Sequence, residues 1–373
     1  MNKKPCIPDK LPIEKLDWKR LAPYTSKATM AVARYDGTLV GMVNAAVLLS
    51  PITSREAVLS SRIEGTQASL VEVLRHEAGE QYNEDKKGDI HEIINYRRAL
   101  LLGEESLKNR PISLQLIREL HSLLMQDVRG GDKTPGTFRA EQNWIGKKGT
   151  PIEKARFVPP NPLVMQDALE DFERYVNMED ADPLVQLAIL HAQFEIIHPF
   201  CDGNGRLGRM IVPLFLYQKK VLQRPTFYLS EYLEEADEEY RNRLLSITND
   251  NDWQGWVEFF LVALHQQAEW NTKKAISIFA LYEEMKVHFA SITHSQYSQT
   301  TLDAFFNRPI LNSSDFLKIS RIDNRGTANG ILRSLVEDGV LQIIREGAGR
   351  TPAIYVVCPA WRSNPACIRQ ASP

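Results

Sequence analysis

Apolar residues recur at helical spacing through most of this chain, and Pro, Gly and Asn interrupt them. The clearest run is Asp182 to His198. Asp182 is a natural N-cap and Pro183 a natural first helical residue. Leu184, Leu187, Ala188, Phe194 and Ile197 then repeat on a helical period, which predicts a buried helix. Pro199 disfavours the helical conformation at His198 and ends it there. A second helix is predicted from Gly205–Arg206 through Met210, Val212, Leu214 and Leu216. Upstream, the pattern predicts helices near Lys27–Arg34, from Pro51 to a C-terminal glycine at Gly65, over Ala68–Leu74 and over Ile90–Leu100. Further helices run from Pro111 to Leu124 and from Asn161 to Val176. Polar Gln81–Gly88 reads as a loop. The stretch from Gly130 is turn-rich. Asn143–Gly146 and Ala155–Val158 read as a β-hairpin around Lys147–Glu153.

Downstream, Tyr228–Leu245 carries Tyr232, Tyr240 and Leu244, and a long helix is predicted from Asp252 through Phe259, Leu264 and Trp270. The last hundred residues change character. Helices over Ala275–Phe289 and Thr301–Phe306 precede one of Phe316–Ile319 capped by Ser313-Ser314-Asp315. A helix over Thr327–Asp338 and strands at Val340–Ile344 and Ile354–Val357 follow. That order resembles a winged helix. The expected organisation is an N-terminal helical region (1–110), a core (111–270) and a C-terminal module (271–373), mainly α overall.

Charge and composition narrow the function. The 373 residues carry a formal net charge of -2, so no global field recruits nucleic acid or a membrane. In the C-terminal module Arg325, Arg333, Arg345 and Arg350 could contact DNA. Asp315, Asp323, Glu337, Asp338 and Glu346 nearly cancel them, which favours dimerisation or protein docking over DNA binding. The four cysteines, Cys6, Cys201, Cys358 and Cys367, lack the spacing of a zinc site or disulfide framework. No apolar leader or spanning segment is visible, so the expectation is a soluble, cytoplasmic protein.

The chemistry concentrates in His198–Arg209, H-P-F-C-D-G-N-G-R-L-G-R. His198 has an ordinary pKa of about 6.5 and can accept a hydroxyl proton. Gly203 and Gly205 flank Asn204 in a loop that a ligand can approach closely. The helix beginning there offers unpaired N–H groups and a positive dipole end, which suit phosphate. Arg206 and Arg209 are three apart and can clamp a polyphosphate. Asp202 is a hard oxygen ligand for Mg²⁺. A lone His at a helix end, or a lone G-N-G, would more often be structural. The conjunction at fixed spacing has no common structural explanation. His121 and His191 read as packed histidines rather than metal ligands. By composition alone Glu64 would be a solvated carboxylate, although it is disfavoured at a helix C-terminus.

His198–Arg209 resembles the signature of the Fic family, H-P-F-x-[D/E]-G-N-G-R-x-x-R, with every fixed position matched. Related Doc kinases carry Lys where this chain has Gly205. The resemblance implies a Fic-type helical core with a hairpin flap over the ATP site. It also implies AMP transfer from ATP to a protein Ser, Thr or Tyr hydroxyl, with pyrophosphate leaving. Gly203, Asn204, Gly205, Arg206, Leu207, Gly208 and Arg209 would form the ATP-binding segment, with Mg²⁺ on Asp202. Ser60-Ser61-Arg62-Ile63-Glu64-Gly65 resembles the family's inhibitory motif, [S/T]-x-x-x-E-[G/N]. This implies that Glu64 pairs with Arg209 and denies it to the ATP γ-phosphate, with Ser60 and Gly65 fixing the segment. Tyr240 is the candidate adenine wall, or else simply core. Arg139 matches a family position expected to be structural. Self-modification and removal of AMP by the same site are further implications, and a homodimer is expected. The rival from another class is a regulator that binds DNA and only senses nucleotide; a third reading is transfer of a different phosphate-containing group.

Overall fold

A computed structural model describes residues 4–42, 44–128, 134–146, 149 and 151–358. In chain order its helices begin with α1 (Trp18–Val40), α2 (Ala45–Ile63), α3 (Leu70–Glu77), α4 (Glu84–Leu107) and α5 (Leu114–Leu124). Next come α6 (Pro162–Asn177), α7 (Pro183–Ile197), α8 (Asn204–Gln218), α9 (Ser230–Glu235), α10 (Asp237–Asp250) and α11 (Trp253–Thr293). Then follow α12 (Ser298–Asn307), β1 (Ile310–Asn312), α13 (Ser313–Ser320), α14 (Arg325–Glu337), β2 (Leu341–Arg345) and β3 (Ile354–Val357). The protein is thus mainly helical, with one small antiparallel sheet, of order β1-β3-β2, among the described residues.

The chain forms two compact units. The first comprises residues 1–37, 59–66 and 94–271. Its centre is α7, buried on nearly every side, so its sequence is apolar all round rather than striped. Asp182 caps it by accepting from the Leu184 and Val185 N–H groups. α6 and α8 pack on α7, and the Trp256 indole N–H donates to the Ala188 carbonyl at 2.7 Å. The second unit comprises 38–58, 67–93 and 272–373. Here α3 covers the sheet, with Leu74 and Ala78 buried against Ile310 and Ile354.

Several elements differ from the sequence expectation. Pro51 lies inside α2 rather than at its start, because the helix already begins at Ala45. α4 starts within the stretch read as a loop, with the Asn83 side chain accepting from the Lys86 N–H at 3.0 Å. α11 continues unbroken through the separate helix expected at Ala275–Phe289. Asn312, not the Ser313-Ser314-Asp315 stretch, caps α13. Among the described residues the hairpin is reduced to one antiparallel bridge, Ile145 with Phe157, plus a 3-10 turn at Ile152–Lys154. Parts of the turn-rich stretch and hairpin loop (130–133, 147–148 and 150), and Cys367, lie outside the described residues. Cys6, Cys201 and Cys358 are free thiols. Among the described residues no helix is long and apolar enough to cross a membrane.

Candidate active site

The site begins at the turn between α7 and α8. His198 is left-handed, at φ 48° and ψ 60°, a conformation that costs a non-glycine residue about 1–2 kcal/mol. Its neighbours hold it there. The Arg139 Nε donates to the His198 carbonyl at 2.9 Å, and Nη2 donates to the Pro160 and Ile197 carbonyls at 2.6 and 3.3 Å. The Asn204 side chain closes the turn from below, accepting from the Phe200 N–H at 2.9 Å and donating to its carbonyl at 2.8 Å. Asn143 donates to the same carbonyl at 3.2 Å. His121 secures the next residues. Its Nδ1 accepts from the Gly136 N–H at 2.9 Å, so Nε2 carries the proton and donates to the Asp202 carbonyl at 3.0 Å. Burial lowers the His121 pKa to about 4, which keeps this tautomer neutral.

Gly203 caps α8 at φ 77° and brings no side chain of its own to the first-turn N–H groups. That conformation needs glycine, and an added Cβ would also lie 2.9 Å from the Met125 sulfur. Beside it, Asp202 is half-exposed; its Oδ1 accepts from the Gly203 N–H at 2.7 Å and lies 3.8 Å from Arg206 Nη2. No cluster of three metal-ligating residues exists among the described residues. A single carboxylate still fits Mg²⁺, which commonly takes one or two protein oxygens and completes its shell with phosphate and water.

Arg209, 2% exposed, points to the end of α2. Its Nε donates to Ser60 Oγ at 2.9 Å, and its Nη2 donates to the Ser60 carbonyl and to Glu64 Oε1, each at 2.7 Å. Gly65, at φ 97°, turns the chain away just after Glu64. Gly205 makes room for the pair: a Cβ there would stand 2.1 Å from Glu64 Oε1 and 3.1 Å from Arg209 Nη1. Burial pushes the Glu64 carboxyl up. Arg209, by charge and hydrogen bond, together with Arg206 and Arg241, outweighs this and holds it below the ordinary value. Arg209 is itself penalised by burial, yet Glu64 raises its pKa on balance. His198 is pulled down to about 4 by burial, against the raising influence of Glu64. It is therefore neutral at pH 7.

Glu64, His198, Gly205, Arg209 and Tyr240 line one pocket of about 140 Å³. Ligand sites for drug-sized molecules run to about 300–1,000 Å³, so this space is small with Glu64 inside it. Ile145, Arg156 and Phe157 from the bridged loops form another wall. Asp202, Gly203, Asn204, Arg206, Leu207 and Gly208 do not line it. Leu207 is wholly buried, and Asn204 engages the Phe200 backbone through both ends of its amide. The Gly208 carbonyl can only accept, so His191 Nδ1, at 3.3 Å, carries the proton. His191 Nε2 then accepts from the Tyr240 hydroxyl at 3.0 Å. Burial lowers the His191 pKa to about 3, consistent with a neutral ring. Tyr240 is thus both buried and pocket-lining. Sequence reasoning missed Glu195, one helical turn before His198, which enters the same pocket. The only signal was a carboxylate inside an apolar helix.

Comparisons with known proteins agree with this architecture. The family description "Fic/DOC family N-terminal" matches residues 23–105 and "Fic/DOC family" matches residues 111–216. The chain belongs to the Fic/DOC family. It is 26% identical over 176 residues to a probable protein adenylyltransferase of Aquifex aeolicus (strain VF5), covering 47% of this chain and 51% of that protein. It is 30% identical over 135 residues to protein adenylyltransferase fic-1 of Caenorhabditis elegans, covering 34% of this chain and 24% of that protein. The chain therefore spans about half the length of the first and a quarter of the second. A Fic family protein from Desulfovibrio desulfuricans G20 shares the fold at a TM-score of 0.50 and 21% identity, over 88% of this chain and 95% of that one.

Proposed function

We propose that this protein transfers AMP from ATP to a Ser, Thr or Tyr hydroxyl of a protein, and that Glu64 restrains it. The observation that carries the reading is the Glu64–Arg209 contact, 2.7 Å long, directly over Gly205 at the start of α8 and in one pocket with His198. An arginine at a helix N-terminus is a phosphate ligand by position and charge. A carboxylate on it competes with a triphosphate for the same guanidinium.

In the reaction, neutral His198 takes the proton of the target hydroxyl. The oxygen forms a bond to the α-phosphorus, the bond to the β-phosphate bridging oxygen breaks, and pyrophosphate leaves. The first-turn N–H groups of α8 and the buried Arg206 stabilise charge on the phosphates. Asp202 would hold Mg²⁺, which neutralises phosphate charge when bound. Arg209 orients the γ-phosphate once Glu64 withdraws. Tyr240 and the apolar wall around it receive the base. The named activity of the two relatives supports the reaction class, as does the family signature.

The test is transfer of α-labelled AMP from ATP and Mg²⁺, comparing the wild-type chain with Glu64→Gly, His198→Ala and the double mutant. Strong label from Glu64→Gly, weak label from wild type and none from either His198→Ala protein are expected. Equal label from wild type and Glu64→Gly would remove the inhibitory role. Absence of label from Glu64→Gly, on itself and in lysate, would remove AMP transfer.

A further inference from the structure

Glu195 is the one carboxylate in the pocket to which the reaction above gives no task. It stands on α7 between His191 and His198, on the face that looks into the pocket. Its Oε1 is buried and has no hydrogen-bond partner among the described residues. That oxygen lies close against α8: a Cβ on Gly208 would come within 2.3 Å of it. Glycine at 208 thus leaves room for the Glu195 carboxylate where it stands.

Several neighbouring donors bond to other groups. The Tyr240 hydroxyl donates to His191, whose other nitrogen donates to the Gly208 carbonyl. Arg209 directs Nε and Nη2 to Ser60 and Glu64. The Arg241 Nε donates to Asp237 at 2.7 Å. Burial, with the Glu64 charge added and Arg209 and Arg241 opposing, pushes the Glu195 carboxyl up to about 7. A buried acceptor without a donor is costly, and native structures rarely keep one without a use. Ile63, Ile145, Phe157, Leu244 and Leu245 give the same pocket an apolar wall beside its charged groups, Glu64, Arg156, Arg209 and Arg241. An apolar wall with a free acceptor suits a nucleoside, whose base packs against the wall while a hydroxyl or amine donates.

We propose that Glu195 is a nucleoside-recognising residue, whose Oε1 accepts a hydrogen bond from a donor on the bound nucleoside, a ribose hydroxyl or the exocyclic amine of the base. This rests on the nucleotide-binding reading of the site and adds a specificity determinant to it. A site built around such an acceptor rejects an analogue lacking the donor, because the acceptor is then left buried and unpaired.

The test measures equilibrium binding of ATP, 2′-deoxy-ATP, 3′-deoxy-ATP and inosine triphosphate to the full chain carrying Glu64→Gly. The same titrations follow with Glu195→Ala or Glu195→Gln added. The expected result is that one analogue binds about tenfold or more weaker than ATP. Glu195→Ala should bind ATP as weakly as that analogue and lose the discrimination. Glu195→Gln, which keeps an acceptor oxygen and the side-chain volume, should retain most of it. A loss with a deoxy analogue assigns the ribose as donor, and a loss with inosine triphosphate assigns the base. If ATP binds but Glu195→Ala and Glu195→Gln rank all four nucleotides as the parent does, the proposal is overturned while nucleotide binding stands. If the parent binds no nucleotide, both fall together. Unchanged thermal unfolding of the Gln variant separates a lost contact from a lost fold.

Discussion

At the residue scale, Glu64 does two opposed things. It stabilises a buried guanidinium, and on the proposed reading it occupies the group that a triphosphate needs. Its folded pKa lies below its unfolded value of about 4.3. Its contribution to stability is therefore complete above that pH and is lost as pH falls through the folded pKa. Glu64→Gln should cost about 1 kcal/mol at pH 7, the upper range for a partly exposed pair. The gap to wild type in denaturant unfolding should close on acidification; a constant gap would mean that charge is not what Glu64 contributes. Acidification that protonates Glu64 also protonates His198, whose pKa is about 4, so on the proposed reading low pH removes the base along with the restraint.

At the element scale, the working part is the α7–α8 turn, and its geometry comes from two positive-φ residues, His198 and Gly203. Gly203→Ala should lose about 1–2 kcal/mol for the left-handed conformation alone. The close Met125 sulfur should add to that. Denaturant unfolding measures the loss, and labelling by the Glu64→Gly protein should fall with it, since the α8 N-terminus is displaced. An unchanged labelling rate would show that the turn tolerates the shift. Much of this element was legible from the chain. Asp182, Pro183 and Pro199 fix the ends of α7 by local chemistry, which needs no tertiary information. Gly65 likewise marks the end of α2, just after Glu64. Other features depend on distant residues and leave no local trace. Gly208 stands against the Glu195 carboxylate, and the state of Glu195 is set by burial together with Arg209, Glu64 and Arg241. Asn312 was hidden as a cap by the serines that follow it. β1 is three residues long, too short for an alternating pattern to show. The continuity of α11 is equally invisible, because its apolar positions change partners along its length.

At the scale of the whole molecule, the second unit is assembled from stretches far apart in sequence. α3 buries Leu74 and Ala78 against Ile310 and Ile354. Asn312 Nδ2 donates to the Ala78 carbonyl at 3.2 Å, and Arg345 Nη1 donates to the Gly79 carbonyl at 3.1 Å. A fragment ending at Asn271 keeps α3 but removes all of these partners. It would expose apolar side chains and two backbone carbonyls at the end of the helix. Limited proteolysis should therefore cut the fragment first within residues 67–93, which the full chain should protect. That stretch follows Glu64 directly, so its loosening should also lower the hold of Glu64 on Arg209. The fragment is expected to label itself more than the full chain does, and Glu64→Gly should bring the two to the same rate. Higher labelling of the fragment that persists in the Glu64→Gly background would place the effect elsewhere than on Glu64. Equal protection of 67–93 in both proteins would mean that α3 is ordered without the sheet. Restraint of the site would then be a property of the first unit by itself.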